Sequence, residues 1–293
     1  SCGYVAMCSN CDVSMTYHRP LHRLVCHYCF ETAAATNVCP ACSQPTLRYS
    51  GYGTQQIEET LRQRFPGLRV ARMDTDTMTT RQRFEETLRD FRDGALDVLV
   101  GTQMIAKGLD FPGVTLVGIV SADGALNMPD FRARERTFQL IAQVAGRAGR
   151  GTRAGKVVVQ TFHPNEPAVV LATRHDYESF FRRETRDRYA AEYPPFCRLV
   201  QVTAEGPDAQ AVEGTLAEWA QTLRASPAVG EHETRVLGPA PAVIALLRGQ
   251  WRWQLLLKAR NSKAVRALVG VLRGLRSPAG VKTTIDVDAT DML

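Results

Sequence analysis

Several things common in a chain of this length are missing. No run of 18 or more apolar residues occurs, so no segment reads as a membrane span. The opening residues Ser1-Cys2-Gly3-Tyr4 lack the basic, apolar and small-residue succession of a secretory signal. No Gly-x-x-x-x-Gly-Lys-Ser/Thr occurs; the one Gly-Lys step, Gly155-Lys156, has neither the leading glycine nor the following hydroxyl. There is no Asp-Glu dipeptide to hold magnesium beside such a loop. Cysteine all but stops after residue 42: seven of the eight lie within residues 1–42, and Cys197 stands alone. Cysteines crowded into one segment argue against a disulfide frame and for a metal site in a reducing compartment, the cytoplasm.

Six of those cysteines form Cys-x-x-Cys pairs: Cys8/Cys11, Cys26/Cys29 and Cys39/Cys42. Such a turn places two thiolates about one metal, and two turns complete a tetrahedral structural zinc site. Cys8, Cys11, Cys26 and Cys29 are expected to form one complete site. Cys39 and Cys42 lack a partner pair. Cys2 reads as the second half of one, so the second site shows three ligands and is expected to be truncated at the N-terminus, in a chain that begins inside a metal-binding turn. His18, His22 and His27 read as surface or packing residues. Zinc turns often carry glycine after the second cysteine, yet Asp12, Phe30 and Ser43 stand there and only Gly3 keeps it.

What remains is ordinary globular material. Hydrophobic residues make up 44% and charged residues 23% of 293 residues, enough for two or three domains. The net charge of +6 favours an anionic partner. Residues 51–165 alternate helical and strand patterns: a helix through Ile57, Leu61 and Phe65, a strand over 68–73, a helix through Phe84, Leu88 and Phe91, then strands over 97–100, 114–120 and 156–161. That alternation implies a mostly parallel α/β sheet, whose ligands bind beyond the carboxyl ends of its strands.

Two polar stretches fall at such places. Gly101-Thr102-Gln103-Met104-Ile105-Ala106-Lys107-Gly108-Leu109-Asp110 follows a strand directly. Thr102 is suited to a nucleic-acid phosphate and Asp110 to a ribose hydroxyl. Gln143-Val144-Ala145-Gly146-Arg147-Ala148-Gly149-Arg150 ends an apolar-periodic helix. Each arginine there offers a permanent charge and a rigid donor fork, and each follows a glycine that lets the backbone approach a ligand.

Val100–Asp110 resembles motif V, and Gln143–Arg150 motif VI, of superfamily 2 helicases. With Asp123-Gly124-Ala125-Leu126, Asp130-Phe131-Arg132 and the upstream cysteine pairs, the whole chain is similar to the bacterial replication-restart helicases, the primosomal protein N′ family. The resemblance implies a RecA-like second helicase lobe of an ATP-dependent 3'-5' DNA helicase, with the zinc module inserted into it. Arg150 would be the finger on the γ-phosphoryl, Arg147 its support, and Gln143 a positioner of water or phosphate. Gly108, Asp110 and Gly146 would line the nucleotide; Thr102, Gln103 and Lys107 would meet DNA. ATP and magnesium would bind only with a first lobe that supplies the phosphate loop, so this chain alone is expected not to hydrolyse ATP. Forked or single-stranded DNA, single-stranded-DNA-binding protein and primosome loading proteins are the implied partners, and the nucleoid of the bacterial cytoplasm the implied location.

Residues 166–196 read as a helical linker, arginine-rich and helical in pattern over 166–188, with a boundary at Tyr193-Pro194-Pro195-Phe196. Residues 197–293 follow a β-α-β-β-α-β order, which predicts a ferredoxin-like α+β domain. The boundaries expected are 1–50, 51–165, 166–196 and 197–293. Within the last, Arg248 and Arg252 are candidate DNA contacts. Aromatics interleaved with arginine can stack bases, but period two puts Trp251, Trp253, Leu255 and Leu257 on one face, which reads more simply as core. Cys197 reads as a buried neutral thiol. A rival reading of the whole chain is an ATPase-independent zinc and DNA scaffold that recruits other proteins to forks.

Overall fold

A computed structural model of the chain describes residues 2–18, 22–45, 53–74, 77–102, 105, 111, 113–146, 154–231 and 233–292. The chain divides into two compact units. One comprises Ser1–Tyr49, Pro129–Phe131 and Thr185–Leu293, the other Ser50–Met128 and Arg132–Glu184. No helix among the described residues is long and apolar enough to cross a membrane.

The first unit begins with a three-stranded antiparallel meander, β1 (Thr16–His18), β2 (Arg23–Val25) and β3 (Thr32–Ala34). These strands are too short to bury a core of their own. The packed centre is made by the sulfurs of Cys8, Cys11 and Cys26, with Val13, Met15 and Cys29 against them.

The second unit holds the helicase-like pattern. Helix α1 (Thr54–Arg64) precedes β4 (Val70–Met73), and α2 (Arg81–Arg92) precedes β5 (Val98–Gly101). Thr80 caps α2 by accepting from the Arg83 N–H at 3.2 Å, one of the first-turn donors left without an intrahelical partner. Strands β4 and β5 pair in parallel from Val70↔Val98 to Met73↔Gly101. A second parallel pair is β6 (Leu116–Ile119) with β7 (Lys156–Val159). Among the described residues the expected parallel sheet is therefore two parallel pairs.

Between β6 and β7 lie α3 (Asp123–Leu126) and α4 (Ala133–Ala145), and after them α5 (Pro167–Thr173). Phe138 and Ile141 of α4 pack on Ala168, Val169 and Ala172 of α5 and on Phe180, whose ring stacks on Phe138 at 4.2 Å. The helical stretch expected over 166–188 is two helices. His175 sits at φ 54, a left-handed conformation that helices cannot continue through. Asp176 then opens α6 (Tyr177–Ala190) by accepting from the Ser179 N–H at 3.0 Å. The expected linker is also divided: residues up to Glu184 belong to the second unit and those from Thr185 to the first.

The rest of the first unit is a four-stranded sheet with two long helices: β8 (Arg198–Gly206), α7 (Ala209–Ala225), a turn α8 (Pro227–Gly230), β9 (Arg235–Leu247), β10 (Gln250–Ala259), α9 (Ser262–Gly274) and β11 (Lys282–Val287). The sheet order β11-β8-β10-β9, antiparallel throughout, is the ferredoxin-like arrangement expected. Val212, Leu216, Trp219 and Leu223 of α7, with Val265, Leu268 and Leu272 of α9, bury against Val200, Val202, Leu255 and Leu257. Each such side chain removed from water contributes about 1.5–3 kcal/mol. Asp208 and Asn261 cap the two helices, Asn261 accepting from both Lys263 and Ala264 N–H at 3.0 Å. Outside this core a four-layer stack runs from the Arg188 guanidinium over the Phe131 ring (5.0 Å) to Tyr193 (4.8 Å) and the Lys258 ammonium (3.7 Å).

Candidate metal centre and motif residues

The four sulfurs of Cys8, Cys11, Cys26 and Cys29 lie within 4.8 Å of one another, with Cys8 and Cys29 at 3.5 Å. Zinc–sulfur bonds of about 2.3 Å in a tetrahedron require sulfur–sulfur edges of about 3.8 Å, and the four sulfurs are gathered closely enough to take zinc. Three of the four cysteines are buried and Cys29 is half-buried, as a closed structural site requires.

Two of the three cysteine-pair turns, those at Cys26 and Cys39, obey one pattern. Phe30 donates its N–H to the Cys26 carbonyl oxygen at 2.9 Å, and Ser43 does the same to Cys39 at 2.8 Å. Cys26 in turn donates to the Glu31 carbonyl and Cys39 to that of Gln44, both at 2.9 Å. This closure forces the residue after the second cysteine into the left-handed region. Phe30 is at φ 64, Ser43 at φ 56 and Gly3 at φ 74, so two of the three adopt it without being glycine.

The electrostatics of the thiols follow from burial set against backbone donors. Burial raises the Cys26 thiol, but the N–H groups of Cys29 and Tyr28 outweigh it and bring it to about 7. Burial pushes Cys8 well above the ordinary thiol value, and the Glu31 carboxylate, accepting from its sulfur at 2.9 Å, adds to the shift. The same carboxylate accepts from the Ser9 hydroxyl at 2.6 Å and the Ser9 N–H at 3.1 Å. A metal cation held by the four sulfurs would take the place of the Cys8 proton and leave Glu31 to its serine donors.

Residues from the far end of the chain reach this cage. The β9–β10 hairpin turns at Arg248 and Gly249, both left-handed (φ 53 and 73). There the Arg248 N–H donates to the Cys11 sulfur at 3.2 Å, and Gly249 to the Asn10 carbonyl at 2.8 Å. Asp12 donates to the Leu246 carbonyl at 2.7 Å, and Leu247 packs among the cysteines. The Arg248 side chain, expected on DNA, gives its Nε–H to the Tyr28 carbonyl at 2.9 Å. Trp251, expected in the core, is 38% exposed and lines a cleft of 260 Å³ with Met7, Asp12 and Leu246. Strand β10 runs in unbroken register along β8, so Trp251 keeps the side of Leu255 and Leu257; it stands at the start of the strand, outside the core cluster that holds those leucines. Arg252 is half-buried opposite Glu205 of β8.

The second group of three, Cys2, Cys39 and Cys42, is also drawn together, with the Cys2 and Cys39 sulfurs at 3.5 Å. The Tyr4 N–H, with Cys42 and Cys39, holds the Cys2 thiol below its ordinary value, which favours a thiolate.

The motif residues are only partly within the described residues. Gln103, Lys107, Gly108, Asp110, Arg147 and Arg150 lie outside them. Thr102 is exposed at the carboxyl end of β5, where ligands of such sheets bind. Gly101 before it is required by space: a Cβ there would lie 2.4 Å from the Met73 carbonyl oxygen. Gln143 is exposed in the last turn of α4, and Gly146 follows at φ −65, a conformation open to any residue. A Cβ on Gly146 would make only ordinary contact, at 3.4 Å from the Ala142 oxygen, so folding alone does not call for glycine there. Asp123, from the other motif stretch, is buried and accepts from Thr161 Oγ1 (2.8 Å), the Phe162 N–H (3.1 Å) and His163 Nδ1 (2.9 Å), so it ties α3 to the end of β7.

Three protein families match this chain. The helicase conserved C-terminal domain covers residues 44–152, the PriA DNA helicase Cys-rich region 8–32, and the primosomal protein N C-terminal domain 189–290. The chain belongs to the PriA family. It is 43% identical over 268 residues to the replication restart protein PriA of Bacillus subtilis, covering 92% of this chain and 33% of that protein. It is 42% identical over 294 residues to PriA of Treponema pallidum, covering 100% of this chain and 44% of the relative. For PriA of Haemophilus influenzae the figures are 36% over 293 residues, 99% and 40%. The chain thus spans less than half the length of these PriA relatives. The PriA Cys-rich match includes all four cysteines of the fitted cage.

Two features of the site escape sequence reasoning. Glu31 carries a weak signal, a carboxylate two residues beyond a cysteine pair. Leu246–Gly249 carries none as a metal-site segment, because its contribution comes mainly from backbone groups.

Proposed function

We propose that this chain is the second-lobe and C-terminal part of an ATP-dependent 3'-5' DNA helicase that recognises and remodels stalled replication forks and starts primosome assembly. The observation that carries the reading is the fall of the helicase match, residues 44–152, on the unit built from parallel strand pairs, with Thr102 at a strand's carboxyl end and Gln143 at a helix terminus. In this reading Arg150 reaches the γ-phosphoryl and Arg147 supports it, an arrangement worth about 10³–10⁵ in rate when both halves of the site are present. Gln143 positions water or phosphate, while Gly108, Asp110 and Gly146 line the nucleotide. The sequence carries no phosphate-binding loop, so ATP and magnesium need a partner lobe. Thr102, Gln103, Lys107 and Arg252 meet the DNA backbone, with Arg248 adding charge at the hairpin tip. Single-stranded-DNA-binding protein and primosome loading proteins are the protein partners of this reading.

The test measures fluorescence anisotropy of a labelled fork, with ATP turnover followed in the same samples. Binding should fall steeply with salt, because each neutralised phosphate releases counterion. Turnover should stay at background. Salt-insensitive binding rejects the phosphate contacts, and DNA-stimulated hydrolysis lost in Arg150→Ala rejects the half-site reading.

A further inference from the structure

The three cysteine-pair turns differ in one respect. In the turns at Cys26 and Cys39 the residue after the second cysteine closes the loop on itself, Phe30 onto Cys26 and Ser43 onto Cys39. In the turn at Cys8 the equivalent donor, Asp12 N–H, leaves the module and goes to the Leu246 carbonyl. The hairpin answers with Arg248 N–H on the Cys11 sulfur and Gly249 N–H on the Asn10 carbonyl. Arg248 Nε–H on the Tyr28 carbonyl extends the grip to the second turn of the same cage, and Leu247 fills the space beside the sulfurs.

We propose that the β9–β10 hairpin tip, Leu246–Gly249, is the outer shell of the four-cysteine zinc centre, so that metal occupancy and the position of the hairpin form one equilibrium. The inference rests on the four-cysteine cage alone and stands or falls separately from the helicase reading. The physical argument has two parts. A metal-bound thiolate carries charge that a buried cage cannot leave unsolvated, and an N–H aimed at sulfur supplies what water would. Residues 8–32 enclose little apolar volume, so without a cation at the centre the first turn has little to hold its shape. Outer-shell partners of metal ligands typically matter by about 10–100-fold in affinity. The hairpin's role is positional: it touches ligands and leaves the metal's first shell to the four sulfurs.

The full chain is loaded with zinc, and metal transfer to a chromogenic chelator is timed for the native sequence, Leu247→Ala and Arg248→Gly. The glycine keeps the left-handed turn and the backbone N–H while deleting the bond to Tyr28. Release should accelerate about 10-fold or more in Leu247→Ala and by a smaller factor in Arg248→Gly. A second measurement needs no substitution. In protein loaded with NMR-active cadmium, the Arg248 amide proton should show scalar coupling to the metal through the N–H···S bond, and on chelation its protection from exchange should drop together with that of Gly249. Unchanged release in both variants, or absent coupling with amide protection indifferent to metal, overturns the proposal.

Discussion

The Arg248 N–H donates to the Cys11 sulfur at 3.2 Å, joining residues 237 positions apart. One belongs to a cysteine turn near the start of the chain, the other to a hairpin of the ferredoxin-like sheet. The bond uses no side chain of Arg248.

Metal content should track the two cysteine groups unequally. The native chain is expected to hold about one zinc tightly, in the four-sulfur cage, while the group of Cys2, Cys39 and Cys42 releases its ion first. Cys26→Ser should abolish the tight zinc and leave residues 2–45 unprotected in hydrogen exchange, since such a site supplies about 10–16 kcal/mol of apparent binding energy. Cys39→Ser should spare the tight ion. Elemental analysis after dialysis decides, and a tight zinc surviving Cys26→Ser would refute the cage.

Gly101→Ala should destabilise the second unit by about 1–3 kcal/mol. The added methyl would sit 2.4 Å from the Met73 carbonyl, and a backbone oxygen in a paired strand cannot step aside. Denaturant unfolding measures the loss; a variant as stable as the parent would mean that β4 and β5 are not so closely joined.

Leu268→Ala in α9 should cost about 2–5 kcal/mol in the ferredoxin-like domain. Leu268 is fully buried between α9 and the sheet, and its neighbours Leu257 and Leu272 are as deeply set. Its effect on zinc release should be small, because it lies in a core cluster that includes none of the cage cysteines. Thermal melting and chelator timing on one sample separate the two effects.

Acid should weaken the second unit through Asp97. The Arg69 guanidinium and N–H bond its carboxylate at 2.7–2.9 Å and hold its pKa well below the ordinary carboxylate range. A carboxyl whose pKa is depressed by folding adds stability above its unfolded pKa of about 3.9, and that stability is lost as pH falls toward the folded value. Asp97→Asn should therefore flatten the decline in melting temperature between pH 5 and pH 3 (roughly the span that brackets the unfolded value). Parallel declines in parent and variant would remove Asp97 from the account.

The parts of this protein legible in sequence are those where side-chain chemistry repeats at short range. Cysteines two residues apart can only be gathered by a local turn, so the cage ligands and the group of three follow from spacing. The β-α-β-β-α-β order follows from hydrophobic period, because burial of one face leaves few arrangements open. Left-handed Phe30 and Ser43 were hidden for the opposite reason: the closed turn overrides side-chain preference once its hydrogen bonds form. The break at His175 is of the same kind.

Tertiary structure alone decided what the cysteine cage is fastened to. The chemistry at the hairpin comes from N–H and C=O groups that every residue but proline carries alike, so nothing in the letters Leu246 to Gly249 marks them as metal-site neighbours. Trp251 shows the same limit from the other side. Its period-two position assigned it to the core, but it stands at the start of β10, outside the core cluster of Leu255 and Leu257, and lines the cleft beside the cage. Sequence determined the ligands and the elements; the meeting of a turn and a hairpin had to wait for the folded chain, because it depends on backbone direction rather than on residue type.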